Sequence, residues 1–125
     1  MTGSGMTLRL ELFADDVAAS VAFYRDVLGF EELPGWGGYA PVRSGAVTLG
    51  IGPASGLSEE HHFRPEVASQ RRGLGVEIVL EVDDVEAVHA RVVASGHPIA
   101  TPLRERPWGL TDFRVVDPDG YFLRV

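Results

Sequence analysis

Leu8-Arg9-Leu10-Glu11-Leu12-Phe13-Ala14-Asp15-Asp16-Val17 returns 68 residues later as Val76-Glu77-Ile78-Val79-Leu80-Glu81-Val82-Asp83-Asp84-Val85. Both stretches alternate in the manner of a half-buried strand and end in an acidic pair. An apolar helical segment follows each, closed by Gly29-Phe30 in the first copy and by Gly96-His97 in the second. The offset lays Asp16 on Asp84 and Arg9 on Glu77. Self-similarity at a fixed offset predicts two copies of one supersecondary unit.

The first copy reads outward from that stretch. Leu8, Leu10 and Leu12 point to one face of a strand, and Arg9, Glu11 and Phe13 to the other. Asp15 or Asp16 caps the next helix by accepting from free N–H groups of its first turn. Val17, Val21, Tyr24 and Leu28 make one buried stripe along that helix, and Gly29 supplies a left-handed stop. Glu31–Leu33 begins a strand, broken by Pro34-Gly35-Trp36-Gly37-Gly38, a turn or bulge that carries an aromatic. Tyr39–Arg43 and Ala46–Ile51 form a hairpin around Ser44-Gly45.

The second copy repeats the plan. Val76, Ile78, Leu80 and Val82 are expected to face inward, and Asp84 caps a helix with Val85, Val88 and Val92 as its stripe. Ile99 begins a short strand and Pro102 to Gly109 reads as a loop. Thr111–Val116 and Tyr121–Val125 pair across Asp117-Pro118-Asp119-Gly120, a type I turn with Pro at its second position. The fold class is therefore α+β, two tandem βαβββ modules forming a curved mixed sheet around a cleft with helices outside. The chain reads as one domain over 1–125, with module one at about 6–52, a connector at 53–73 and module two at about 74–125. A connector this long is often functional.

Composition removes many functions. The 125 residues are enough for a real core, and 45% hydrophobic with 23% charged residues is ordinary for a globular domain. With no Cys there is no disulfide, thiolate nucleophile or Cys-ligated metal. All 11 basic residues are Arg, which excludes a Schiff-base lysine and the lysine of a phosphate-binding loop. A net charge of −7 argues against nucleic acid as a partner. No run is long enough to span a membrane, and Met1–Gly5 lacks the regions of a signal peptide, so the expected location is the cytoplasm. Those first residues read as a loose tail. There is no Gly-x-Ser-x-Gly, no phosphate loop and no dinucleotide fingerprint.

Phe23-Tyr24-Arg25-Asp26-Val27-Leu28-Gly29-Phe30, the strand into Val82-Asp83-Asp84-Val85, and Trp108-Gly109 followed by Asp117-Pro118-Asp119-Gly120 carry a resemblance. Taken in order on a visible repeat, they resemble the vicinal oxygen chelate superfamily from about Met6 to Val125. That group includes glyoxalase I, extradiol dioxygenases, fosfomycin-resistance enzymes, methylmalonyl-CoA epimerase and bleomycin-resistance-type binding proteins. The resemblance implies that each module curls its sheet into half of a cleft. It also implies a homodimer, since such modules pair within or between chains.

Catalytic members of that superfamily hold a divalent ion with His and Glu from equivalent strands. Carried onto this chain, those ligand positions fall on Arg9, on its repeat mate Glu77, on Arg124, and near Leu49 or Gly50. Only Glu77 has a lone pair to give, because a guanidinium is charged and donates only. The expectation is no metal, no cofactor and no catalytic residue.

Arg9, Glu77 and Arg124 are instead expected to converge, either as an ion-pair network in the place of the metal or as a polar anchor for a ligand. Glu11 and Glu81 add acidic groups along the same faces. Trp36, Tyr39 and Trp108 lie on or beside loops at the mouths of the modules, where they suit stacking on a flat ligand. His62 and Phe63, in His61-His62-Phe63-Arg64, are placed to close the site. His89 is expected to point outward, and neither it nor His97 is assigned chemistry.

The reading is a metal-independent, bacterial, bleomycin-resistance-type protein that binds and sequesters a partly aromatic, antibiotic-like small molecule. The alternative is a metal-dependent lyase, isomerase or dioxygenase of the same superfamily, with a ligand set recruited from Glu77, His61 or His62. A metal-free enzyme using the arginines to stabilise an oxyanion is a further alternative.

Overall fold

A computed structural model describes residues 5–64 and 72–125. The expected loose tail and the middle of the connector lie largely outside the described residues. The first module runs β1 (Arg9–Ala14), α1 (Val17–Ala22) with a wider π turn over Phe23–Val27, β2 (Glu31–Glu32), β3 (Ala40–Ser44) and β4 (Val47–Pro53). The second runs β5 (Glu77–Val79), α2 (Val85–Ser95), β6 (Thr101–Glu105), β7 (Thr111–Val116) and β8 (Phe122–Arg124). The two βαβββ units stand as the repeat predicts.

The strands form two four-stranded sheets, ordered β1-β4-β3-β2 and β5-β8-β7-β6. In both, the first strand of the module pairs in parallel with the last, and the remaining neighbours are antiparallel. The registers match across the repeat. Arg9 pairs Thr48 in the first sheet and Glu77 pairs Phe122 in the second. Gly50 is therefore the mate of Arg124, whereas Leu49 is the mate of Leu123 and is buried with it.

One core holds the molecule together. It takes Leu12, Val42, Leu49 and Ile51 from the first sheet, Ile78, Phe113, Val115 and Leu123 from the second, and Val21, Phe23, Tyr24 and Val92 from the helices. Each sheet thus turns one face to this shared core, and alternation forces its other side chains to look outward. The Asp residues at the helix starts act as predicted: Asp16 accepts from the Ala19 N–H at 3.1 Å and Asp84 from the Ala87 N–H at 3.0 Å. Gly96 closes α2 with φ +82.

A buried polar joint ties the modules. The Asp117 carboxylate accepts from the N–H groups of Asp119, Gly120 and Tyr121 within its own turn, and from the Tyr24 hydroxyl at 2.7 Å. Burial pushes the Asp117 carboxyl up from its ordinary range, while these donors hold it down. Burial, reinforced by the neighbouring Asp117, raises the Tyr24 phenol well above its usual value. The Tyr121 hydroxyl meets both the N–H and the carbonyl of Phe13, and Asp119 accepts from the Asp15 N–H at 2.8 Å.

Four expectations need correction. Leu8, Val76 and Val82 are exposed rather than inward, because the apolar alternation runs on beyond the stretch that the helices cover. The short strand read from Ile99 is β6 at Thr101–Glu105, which starts later and runs into the segment read as a loop. It is an outer strand with a register shift between Thr101 and Arg104, a setting that tolerates Pro102. The first helix widens after Ala22, with the Leu28 N–H reaching the Phe23 carbonyl five residues back. That turn leaves both Phe23 and Tyr24 buried. His89 is half-buried and sets its ring edge-on to Phe113 instead of pointing outward.

Candidate functional site

The outward faces of the two sheets carry the polar residues that the repeat singled out. On the first, Arg9 and Glu11 alternate with core-facing leucines, and Arg9 Nε bonds Glu11 Oε2 at 3.0 Å. The Tyr39 hydroxyl donates to the same Glu11 oxygen at 3.0 Å. Tyr39 reaches it by lying across Gly50: a Cβ there would collide with the Tyr39 hydroxyl and crowd Glu11. The Tyr39 phenol is raised, first by desolvation and then by its bond to Glu11.

Trp36 sits beside this group because of a tight turn. Gly37 and Gly38 both adopt positive φ, +56 and +85, so Trp36 and Tyr39 face each other across a two-residue hairpin. Their rings lie 5.0 Å apart and tilted, with Trp36 69% exposed. At the far end of the same face, Phe13 meets His61 and Phe63 edge-on at 5.4 and 6.0 Å, and His62 packs on Phe63 at 5.2 Å. The Leu57 carbonyl accepts from Arg64, holding this part of the connector. The first face is thus an aromatic strip around an Arg9–Glu11–Tyr39 centre.

The second face is built from charge. Glu77 Oε1 lies 3.1 Å from Arg114 Nε and 3.4 Å from Arg124 Nε. Arg114 and Arg124 are cross-strand neighbours on β7 and β8. Asp112, one more step along the same face of β7, is buried and takes Arg106 Nε at 2.6 Å, with Arg114 Nη1 at 3.8 Å. Arg106 also donates to the carbonyls of Pro102 and Asp112. Five side chains therefore form one chain of contacts, Arg106–Asp112–Arg114–Glu77–Arg124. The Arg114 guanidinium also lies 6.0 Å from the Phe122 ring.

The expected convergence of Arg9 with Glu77 and Arg124 holds only in part. Glu77 and Arg124 meet; Arg9 binds Glu11 on the other sheet. Arg114, Asp112 and Arg106 were missed. Trp108 stands 56% exposed in the turn between β6 and β7, with no ring partner among the described residues. His97 is occupied structurally, its Nε2 2.8 Å from the Val116 carbonyl and its ring 4.7 Å from Phe23.

The donor chemistry does not fit a divalent ion. Of the four positions that the resemblance assigns to ligands, Arg9 and Arg124 carry positive charge and Gly50 has no side chain. The fourth, Glu77, shares one oxygen with two guanidiniums. Among the described residues no three His, Asp or Glu side chains gather as a metal would require.

Two tandem βαβββ modules that share one core and turn a polar face outward from each sheet define the class of fold. The chain belongs to the Glyoxalase/Bleomycin resistance protein/Dioxygenase superfamily, whose profile matches residues 7–125. It resembles the solved structure of TioX from Micromonospora sp. ML1, at 25% identity over 96% of each chain with a TM-score of 0.74. A lactoylglutathione lyase from Agrobacterium tumefaciens shares 24% identity over 100% of this chain and 94% of its own, TM-score 0.73. The bleomycin resistance determinant encoded on transposon Tn5 shares 22% over 96% and 95%, TM-score 0.70. The last two show the shared fold alone. No curated protein sequence matches the chain. Among the described residues no helix is long and apolar enough to cross a membrane.

Proposed function

We propose that this protein binds and sequesters a partly aromatic, antibiotic-like small molecule without a metal ion, as a cytoplasmic homodimer. The observation that carries the reading is Glu77 between Arg114 and Arg124. At the position where a metal enzyme of this superfamily needs free lone pairs, this chain has a carboxylate already engaged by guanidiniums. The exposed Trp36 and its neighbour Tyr39, beside Glu11, give a flat ligand a surface to stack on and a polar group to orient it. His62, Phe63 and Trp108 are proposed as further walls of the site.

The sheet edges support the dimer. β1 and β5 are each the outermost strand of their sheet and do not pair with one another. Leu8 and Val76, each just before its strand, and Val79 on β5 are exposed, at 74%, 58% and 48%. Unpaired strand edges with apolar side chains favour association. Setting β1 of one copy beside β5 of another would join an aromatic face to a charged face and make two equivalent clefts. Arg9 of one copy would then lie near Glu77 of the other.

Quenching of tryptophan fluorescence by a panel of aromatic antibiotics, in excess chelator, tests the reading. Saturable quenching that weakens about tenfold or more in Trp36→Ala is expected, the loss of one buried aromatic contact. A panel that gives no saturable quenching contradicts it.

A further inference from the structure

We infer that the ligand carries an anionic group, a carboxylate or a phosphate, which the Arg114–Arg124 pair on the open face of the second sheet receives. This rests on reading that face as a wall of the binding site and goes beyond it by naming the chemistry of the ligand.

Incomplete charge pairing together with partial burial separates these two arginines from the others, since Arg43, Arg91 and Arg104 have no carboxylate partner among the described residues but are exposed. Arg9 has Glu11, Arg25 has Asp26 and Glu32, Arg64 has Glu59, and Arg72 has Asp15 in a two-pronged bond. Arg106 is matched by the buried Asp112. Arg114 and Arg124 share a single oxygen of Glu77. The five-residue chain of contacts therefore keeps one positive charge in excess, in a protein whose net charge is −7. A local cationic excess in an acidic chain is a place where an anion is favoured over the surroundings.

Geometry points the same way. Both arginines approach Glu77 through Nε. Among the described residues the terminal nitrogens of Arg114 and Arg124 donate no hydrogen bond, and Arg114 Nη1 has a 3.8 Å contact to Asp112. A guanidinium presents a planar fork that matches two oxygens of one carboxylate or phosphate. The side chains are only partly exposed, 17% for Arg114 and 29% for Arg124. They are thus reachable yet partly screened from water, which strengthens a charged contact relative to the open surface. Glu77 acts in this arrangement as an internal stand-in for the ligand's anion, holding the two guanidiniums together until it is supplemented or displaced.

The test follows the arginine Nε–H resonances of nitrogen-15-labelled protein at low ionic strength during separate titrations with acetate and with inorganic phosphate. Saturating shifts at Arg114 and Arg124, absent at Arg25, are expected with at least one of the two, and the tighter anion tells carboxylate from phosphate. Glu77→Gln removes the internal competitor and should tighten binding about fivefold, while Arg124→Gln should abolish saturation. A purely structural Glu77 predicts the opposite for Glu77→Gln, a loosened pair and weaker binding, and that result overturns the inference. Linear shifts shared by all arginines, the signature of general screening, overturn it too. Saturation at these two arginines without antibiotic quenching would leave the anion site standing and remove the sequestration reading. Quenching without saturation would remove the anion site alone.

Discussion

Asp117 shows how one side chain fixes the relation between the modules. Its carboxylate is buried, which costs stability unless donors surround it, and three amides of its own turn plus the Tyr24 hydroxyl do so. Removing the phenol in Tyr24→Phe leaves a buried acid one donor short. The expected loss is about 1.5 to 3 kcal/mol of unfolding free energy in urea titrations. The same contact sets an alkaline limit. Folding raises the Tyr24 phenol above its ordinary 10.0, so the folded state keeps a proton that the unfolded chain releases. Stability from this group is present below about pH 10 and declines as pH rises past it, and Tyr24→Phe should flatten part of that decline. At this scale the sequence was only partly legible. The Asp-Pro-Asp-Gly turn was readable from residue type; a partner 93 positions away, as Tyr24 is, was not.

The elements were legible wherever local chemistry decided them. Asp16 and Asp84 cap, Gly96 stops a helix, and Val85, Val88 and Val92 pack as their spacing requires. The strand begun at Ile99 was legible but its run past Pro102 was not, because proline in a short polar run reads as a break, and the outer position of β6 in the sheet reconciles it with pairing. The Arg114–Arg124 pair was within reach: alternation along Thr111–Val116 and pairing across the turn put the two side by side on one face. β4 offers an element-scale test through Gly50, over which Tyr39 lies to meet Glu11. A Cβ in Gly50→Ala meets the ends of flexible side chains, so the strand should hold, with a stability change below about 1.5 kcal/mol by thermal melts. Tyr39 would be displaced from Glu11, and antibiotic quenching of Trp36 should weaken about tenfold.

For the whole molecule, the repeat announced two modules but not which way their sheets would look. Both sheets share one core, so the two polar faces turn outward and a single copy presents them separately. That is why Arg9, expected beside Glu77, binds Glu11 within the chain. If the free edges of β1 and β5 join two copies, sedimentation velocity at micromolar concentration should show a dimer. Val79→Asp, on the β5 edge, should raise the dissociation constant at least about tenfold, because it sets an unpaired charge at an apolar contact.

The central claim is that arginines have replaced a metal site, and metal content tests it most directly. Tag-free protein would be incubated in turn with zinc, nickel, manganese and ferrous iron, desalted, and analysed by mass spectrometry. Substoichiometric metal in every case is the predicted result, since Arg9, Gly50 and Arg124 offer no side-chain lone pairs and Glu77 shares an oxygen with two guanidiniums. One ion per chain or one per dimer would contradict the account and put a metal-dependent reaction in its place.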